Sequence, residues 1–447
     1  MLINIYNRYF TLFIYFNMIN KLKENIFLKS TLILLIGGIF GKSVGFILKI
    51  IITRALGTHG MGLYSMLSPT SSLLATLAVL SYPTAISKII SEKSSTSKDV
   101  LISLIPFSIV INIFIIIIVS ISSKYLADNL LKNAELYLPI ICLSITMPFI
   151  SISSIIKGYF WGKQNMFPYM LSNFIEQVTI FIIIVLFISK VNILIYKICF
   201  IILVNIIGEI ISQIVMTLYF PKFKLNNLKI NTKTIKDTMS ISIPSTISKL
   251  IGTFSYFLEP IILTNILLYV GYSKDYIIYE YGIINAYALS ILLMPQFFTQ
   301  NMATSLVPEL SKQYSLKNYD LCIKRLKQII LVSCFIGGLS TIIISIFPKF
   351  FLNLLYNTTQ GVDYIRLLSP FTILFYIEYP LINAMQALSA TKRAFKITLF
   401  NSCLRIISII VFSLLKIGMY SLIITIIINL IVATYLYYRE IKKILHF

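Results

Sequence analysis

From Thr31 onward, apolar runs of about twenty residues or more follow one another with only short polar connections between them. About 20 apolar residues in a helix cross a bilayer core. In lipid every backbone amide must be bonded inside its own segment or barrel. A chain patterned in this way folds as a bundle of membrane-crossing helices. Twelve spans can be counted, with approximate limits 31–56, 61–90, 100–122, 136–157, 168–189, 192–219, 238–268, 276–303, 325–347, 364–388, 395–415 and 418–438. Composition agrees, since 57% of the 447 residues are hydrophobic and only 12% are charged. A soluble domain carries about 25% charged residues.

The net charge of +22 would suggest a nucleic-acid partner in a soluble protein. Here the basic residues sort by side of the membrane instead. With the amino terminus placed in the cytoplasm, 25 of the 38 Lys and Arg residues fall in cytoplasmic segments and 8 on the opposite side. Cytoplasmic loops carry such an excess. The pattern predicts a multi-pass protein of the cytoplasmic membrane with both termini cytoplasmic, and no nucleic acid bound. The longest polar connection, 221–237, holds five lysines and separates six spans from six. The expected organisation is therefore an extension at 1–29, a first lobe at 30–220, a basic linker at 221–237, and a second lobe with a short basic tail at 238–447.

Short matches recur in the two halves in the same order. Gly41-Lys42-Ser43-Val44-Gly45 in the first span resembles Ser248-Lys249-Leu250-Ile251-Gly252 in the seventh, and Asn173 and Asn401 sit at matching places in the fifth and eleventh. Both halves start on the same side, so the repeat is parallel. The fold class expected is all-α, about twelve transmembrane helices in two six-helix lobes around a central cavity. In transporters built from such repeats the substrate site lies between the halves near mid-depth. Spans 1, 2, 7 and 8 are expected to line it.

Lys42 and Lys49 lie on one face of the first span with Gly45 between them. A lysine at the bilayer centre costs about 2.5–3.5 kcal/mol on insertion scales, so it faces a partner or a wet cavity. Lys249 and Arg405 are the corresponding cations of the second half. Two readings stay open for these cations. They bind an anionic substrate, or they form internal ion pairs with Glu176, Glu209, Glu259 or Glu378. Glu259 and Glu378, each near a proline, serve ion coupling or internal pairing. The five cysteines and two histidines form no metal motif, and there is no nucleophile–base set or Walker loop. An enzyme is not expected, nor any cofactor.

The run from Gly41 to Glu92, with GFILKIIITRALGTHGMGLYSMLSP and YPTAISKIISE, resembles polysaccharide transport proteins of the stage V sporulation protein B type. LLMPQFFTQNMATSLVPELSK, 292–312, resembles their second-half counterpart. These proteins belong to the flippase superfamily of multidrug, oligosaccharidyl-lipid and polysaccharide exporters. The resemblance implies alternating access by two lobes. The cargo it implies is an anionic lipid-linked oligosaccharide, a cell-wall or spore cortex precursor, with membrane lipids and wall-synthesis enzymes as further partners. Lys42 falls where related lipid II flippases carry an arginine, and Lys49 lies within one position of another. The arginine expected after Pro69 is absent, which argues against lipid II itself. The candidate substrate-binding set is Lys42, Lys49, Lys249 and Arg405, with Gln296 and Asn301 set to meet sugar hydroxyls or to bond between helices. A cation-coupled multidrug antiporter of the same superfamily is the alternative. It wants a carboxylate in the first-lobe cavity, and the first span has none. A non-transporting scaffold for wall synthesis is the third reading, against which the six-plus-six repeat argues.

Overall fold

The computed structural model describes residues 26–92, 97–221 and 230–446. The side chains at 26–40, 92, 97–98, 301, 304–306 and 308 lie outside that description. So do most of the 1–29 extension and the middle of the basic linker. The first element, α1, runs Ile26–Val79, followed by α2 (Tyr82–Glu92), α3 (Ser97–Tyr125), α4 (Tyr137–Gly162), α5 (Phe167–Phe187) and α6 (Leu194–Thr217). The second half comprises α7 (Thr232–Val270), α8 (Lys274–Gly282), a π-helical turn (Ile283–Ala288), α9 (Leu289–Leu293), α10 (Gln296–Ser315), α11 (Tyr319–Ile346), α12 (Pro348–Tyr356), α13 (Val362–Ala387), α14 (Thr391–Leu414) and α15 (Tyr420–Leu445). Among the described residues there is no strand.

Among the described residues eleven stretches are long and apolar enough to cross a membrane, the first being Gly41–Ser91 at 51 residues. At 1.5 Å per residue that length is more than twice a bilayer core. It breaks at Gly57, whose backbone (φ 66°, ψ −177°) is open to glycine and strained for other residues. The two arms of α1 are thus the first two crossings, and twelve crossings result. The second crossing breaks again at Leu80 and Ser81, both at positive φ, before α2. The matching eighth crossing breaks at Met294–Pro295, between α9 and α10. The second helix of each half is therefore segmented.

The repeat is visible in the packing. In the first half α1 packs on α5, α2 and α3 on α4, α4 on α6, and α5 on α6. In the second half α7 packs on α14, α10 and α11 on α13, α13 on α15, and α14 on α15. The two sets are the same partnership moved by six crossings. Within each lobe small residues let the helices close. A Cβ on Gly162 would stand 2.7 Å from Ile90, and one on Gly337 2.4 Å from the Tyr376 ring. Ser108 and Ser151 share a hydrogen bond of 2.6 Å in the buried first lobe, and Ser151 donates to the Ala78 carbonyl at 2.7 Å. Hydroxyls and small side chains are what bind helices in lipid, where apolar burial gives no preference between helix and solvent.

The lobes meet through α1 and the helices that start the second half. Their tightest crossing is between Gly62 and Gly282. A Cβ on Gly62 would fall 2.1 Å from the Ile278 carbonyl oxygen, and one on Gly282 2.7 Å from the Gly62 nitrogen. Both clashes are with backbone, which a rotamer change does not relieve. Gly62→Ala is expected to lower stability by about 1–3 kcal/mol, as overpacking does. A thermal melt of the purified protein that left Tm unchanged would contradict this.

Candidate substrate cavity

Three of the cavities share walls at the lobe interface. One of them, 340 Å³, lies in the first lobe, is lined by Thr146, Asn205 and Glu209, and shares Tyr64 and Ser68 with the cavity between the lobes. The cavity between the lobes, the first, is 430 Å³ and is bounded by Phe46 and Lys49 on the first arm of α1, Tyr64 and Ser68 on its second arm, Tyr256 on α7, and residues 285–294 of the eighth crossing. These are crossings 1, 2, 7 and 8. The second cavity, 230 Å³, lies wholly in the second lobe and shares Tyr256, Asn285, Leu289 and Leu293 with the first. Its further polar residues are Glu259, Glu378, Asn401, Arg405 and Asn429.

The order of residues along α1 and the eighth crossing locates the first cavity. At one end stands the Gly62–Gly282 crossing. At the other, Lys42 Nζ donates to Gln300 Oε1 at 2.7 Å, joining the two lobes. Between them Lys49 faces the cavity with an exposed side chain. Its ammonium makes no ion pair among the described residues. The turn at Gly57 is tied down further. Arg54 donates from Nε to the Leu355 carbonyl at 2.7 Å and from Nη2 to the Leu354 carbonyl at 2.6 Å. Those are orphan carbonyls at the end of α12, where a cation is favoured. Thr58 meets Tyr287 at 3.0 Å and Gln360 at 3.3 Å. This side of the cavity is closed by contacts between lobes. Arg54→Ala removes two charged donors from that closure. Impermeant thiol reagents applied from the turn side should then label Lys49→Cys faster, by about tenfold, in line with about 1.5–3 kcal/mol for hydrogen bonds from a charged group. Equal labelling of the two backgrounds would show that Arg54 does not hold this side shut.

The sequence-derived residues fall into three groups. Lys49, Glu259, Glu378 and Arg405 line cavities. Lys42 sits at the edge of the first, in its bond to Gln300. The others stand elsewhere. Lys249 is exposed and is not among the lining residues of these three cavities. Gln296 is buried and donates to the Phe375 carbonyl at 3.2 Å, a helix-to-helix bond. Asn301 lies in α10, its side chain outside the described residues. Of the two readings left open for the cations, internal pairing holds for Arg405; among the described residues Lys42, Lys49 and Lys249 make no ion pair with a glutamate. Glu259 is paired with Arg405, through both guanidinium Nε and Nη2, and that guanidinium lies 5.4 Å from the Tyr256 ring centre. Glu176 and Glu209 are buried in the first lobe, within electrostatic range of Lys157 rather than Lys42 or Lys49. The glycines beside the lysines lie against neighbouring helices. A Cβ on Gly45 would meet Gln177 of α5 at 3.2 Å, and one on Gly252 would meet Thr398 of α14 at 3.8 Å. They serve matching contacts inside each lobe.

Sequence reading passed over Asn285 and Asn429. The available signal was a single amide inside an apolar span, in GIINAYALS and TIIINLIV. Asn285 owes its place to the π turn, which adds a residue to the helix and redirects that face; such turns cluster at functional sites.

A two-lobed bundle with six crossings per lobe and a cavity between them, largely apolar but holding Lys49, is the architecture of a membrane transporter. The model of the polysaccharide biosynthesis protein family matches residues 27–314, and the chain belongs to that family. Stage V sporulation protein B of Bacillus subtilis (strain 168) is 28% identical over 94% of this chain and 84% of its own length. Sporulation protein YkvU of the same organism is 24% identical over 83% and 84%. Among solved structures, an inward-facing multidrug resistance transporter of the MATE family superposes with a TM-score of 0.72 at 14% identity, covering 90% of this chain and 95% of that one.

Proposed function

We propose that the protein is a flippase that moves an anionic lipid-linked oligosaccharide, a wall or spore cortex precursor, across the cytoplasmic membrane by alternating access. The observation that carries this reading is the cavity between the lobes, lined by Lys49 and closed on the side of the Gly57 turn. A cation held in a wet space at a lobe interface, with no ion-pair partner of its own, suits a phosphate or pyrophosphate. Lys42, bonded to Gln300 across the lobes, and the exposed Lys249 remain further candidate cations outside the lining of the cavity. Gln296 braces the segment beside the Pro295 break through its bond to the Phe375 carbonyl, and Asn301 remains a candidate contact to sugar hydroxyls. Membership of the polysaccharide biosynthesis family supports a glycan cargo. In this reading the basic linker at 221–237 and both termini are cytoplasmic, the lobes are 30–220 and 238–447, and wall-synthesis enzymes supply or consume the cargo. Cation-coupled drug export is the second reading: the cavity between the lobes presents Lys49, while Glu209 lines a separate 340 Å³ cavity of the first lobe, where that chemistry wants a carboxylate.

The charge of the cargo gives the experiment. An anion moving outward across an inside-negative membrane is helped by about 2.3 kcal/mol per charge per 100 mV. In proteoliposomes, flipping of a pyrophosphate-linked lipid oligosaccharide should accelerate when the cytoplasmic face is made negative and slow when the sign is reversed. Rates indifferent to the imposed potential would refute the anionic cargo.

A further inference from the structure

We infer that the 230 Å³ cavity of the second lobe is a subsite for one hydroxyl-bearing sugar ring, so that the glycan enters the second lobe while its phosphate stays at Lys49. The inference rests on the flippase reading above and adds the residues and orientation of the glycan. The hydrogen-bonding state of the wall carries it. Asn285 and Asn429 each give one amide N–H to a carbonyl four residues back, at 3.1 Å to Tyr281 and 3.1 Å to Thr425, and keep a second N–H. Their amide oxygens remain as acceptors. Asn401 Oδ1 is buried and has no hydrogen-bond partner. The Glu378 carboxylate, at the same cavity, is bonded by no described residue. Glu259 is taken up by Arg405. The wall of this one space therefore carries acceptor groups from Asn285, Asn401, Asn429 and Glu378 together with amide N–H groups and the Tyr256 hydroxyl, and the buried Asn401 oxygen is unpaired. Buried acceptors left unpaired cost free energy, about 1–3 kcal/mol each, and a donor-rich ligand removes that cost. Phe375, Leu289, Leu293, Ile426 and Leu430 give the same cavity apolar walls. A few placed polar groups among apolar and aromatic walls is the usual make-up of a small-molecule site, and a sugar ring offers hydroxyls on its rim and C–H groups on its faces. A bare metal cation would use the carboxylate and two or three oxygens within about 2.6 Å and leave most of this volume empty.

The cavities share a wall, so the two ends of one cargo can be bound together. Lys49 takes the phosphate from the first cavity. Tyr256 and Asn285, common to both, stand at the junction.

The test uses the full chain purified in detergent, with methyl glucoside and inorganic pyrophosphate as separate probes. Saturation-transfer NMR should detect the glucoside on the wild type. Asn401→Leu and Asn429→Leu should each reduce its signal by about tenfold, while Glu378→Gln, which keeps an acceptor oxygen, retains most of it. Phosphorus line broadening by pyrophosphate should persist in Asn401→Leu, which also reports that this variant is folded, and should be lost in Lys49→Ala. No transfer to the glucoside in the wild type overturns the subsite. So does transfer undiminished in both asparagine variants. A signal lost in Glu378→Gln and displaced by sodium in the wild type would assign the space to a cation and overturn it equally. Failure of pyrophosphate to bind, with glucoside binding intact, would count against the anionic cargo and leave the sugar subsite standing.

Discussion

Neutralising Glu259 alone, as Glu259→Gln, is expected to deplete the protein from the membrane, and Arg405→Met alone is expected to do so more strongly. Glu259 is 3% exposed, and Arg405 closes on it with two guanidinium nitrogens. Removing Arg405 strands the buried Glu259 carboxylate, which costs about 3–5 kcal/mol, and removing Glu259 strands a guanidinium that is 29% exposed at the cavity beside Glu378, which costs less. Many domains have a total stability only two or three times larger than that. Removing both charges together leaves no uncompensated ion, and replacing a buried pair by apolar groups is often neutral or stabilising. The double variant Glu259→Gln/Arg405→Met should therefore recover most of the lost abundance and melting temperature. Measuring both quantities for the four proteins separates an internal brace from a pair held apart for substrate. Single variants as stable as the wild type would show that the pair does not hold α7 to α14.

Lys49→Ala is expected to abolish transport while leaving abundance and melting temperature unchanged. Its side chain is exposed to the cavity and makes no ion pair among the described residues, so truncation orphans no buried partner. Lys49→Arg should keep much of the activity, because the requirement is for positive charge in a wet space rather than for a fork of fixed geometry. Lys42→Ala should differ from both. It breaks the 2.7 Å bond to Gln300 that links the lobes, so it should change the balance of conformations as well as the rate. A cell that depends on the protein, and in which lipid-linked precursor accumulates when it fails, reports all three variants. Accumulation with Lys49→Arg equal to that with Lys49→Ala would point away from a role for charge.

The architecture was legible because lipid imposes a coarse code. Span length follows from the thickness of the bilayer core, and the 25-to-8 bias of basic residues gives the proposed orientation. The choice of crossings 1, 2, 7 and 8 around the cavity followed from the repeat and agrees with the walls observed. Individual side chains were less legible, because a face of a helix does not state which neighbour it meets. Lys249, Gly252, Tyr256 and Glu259 share a face by spacing, yet Gly252 packs inside its lobe while Tyr256 and Glu259 line cavities. Arg405 and Glu259 are 146 residues apart, and nothing local pairs them. Asn285 depends on a π turn, which no periodicity announces. The break at Gly57 was visible as a glycine-rich turn, but its anchoring by Arg54 to the end of α12 was not, since α12 lies in the connection between two spans.

Reconstituted flipping is the most direct test that cargo passes between the lobes at Lys49. Purified wild type, Lys49→Ala and Lys49→Arg are placed in separate vesicles with a fluorescent pyrophosphate-linked lipid oligosaccharide, and the fraction reaching the outer leaflet is followed by quenching from outside. Wild type and Lys49→Arg should move the lipid well above protein-free vesicles, and Lys49→Ala should not. Wild-type rates in Lys49→Ala, or no movement by the wild type at all, would contradict a lysine-lined route between the lobes.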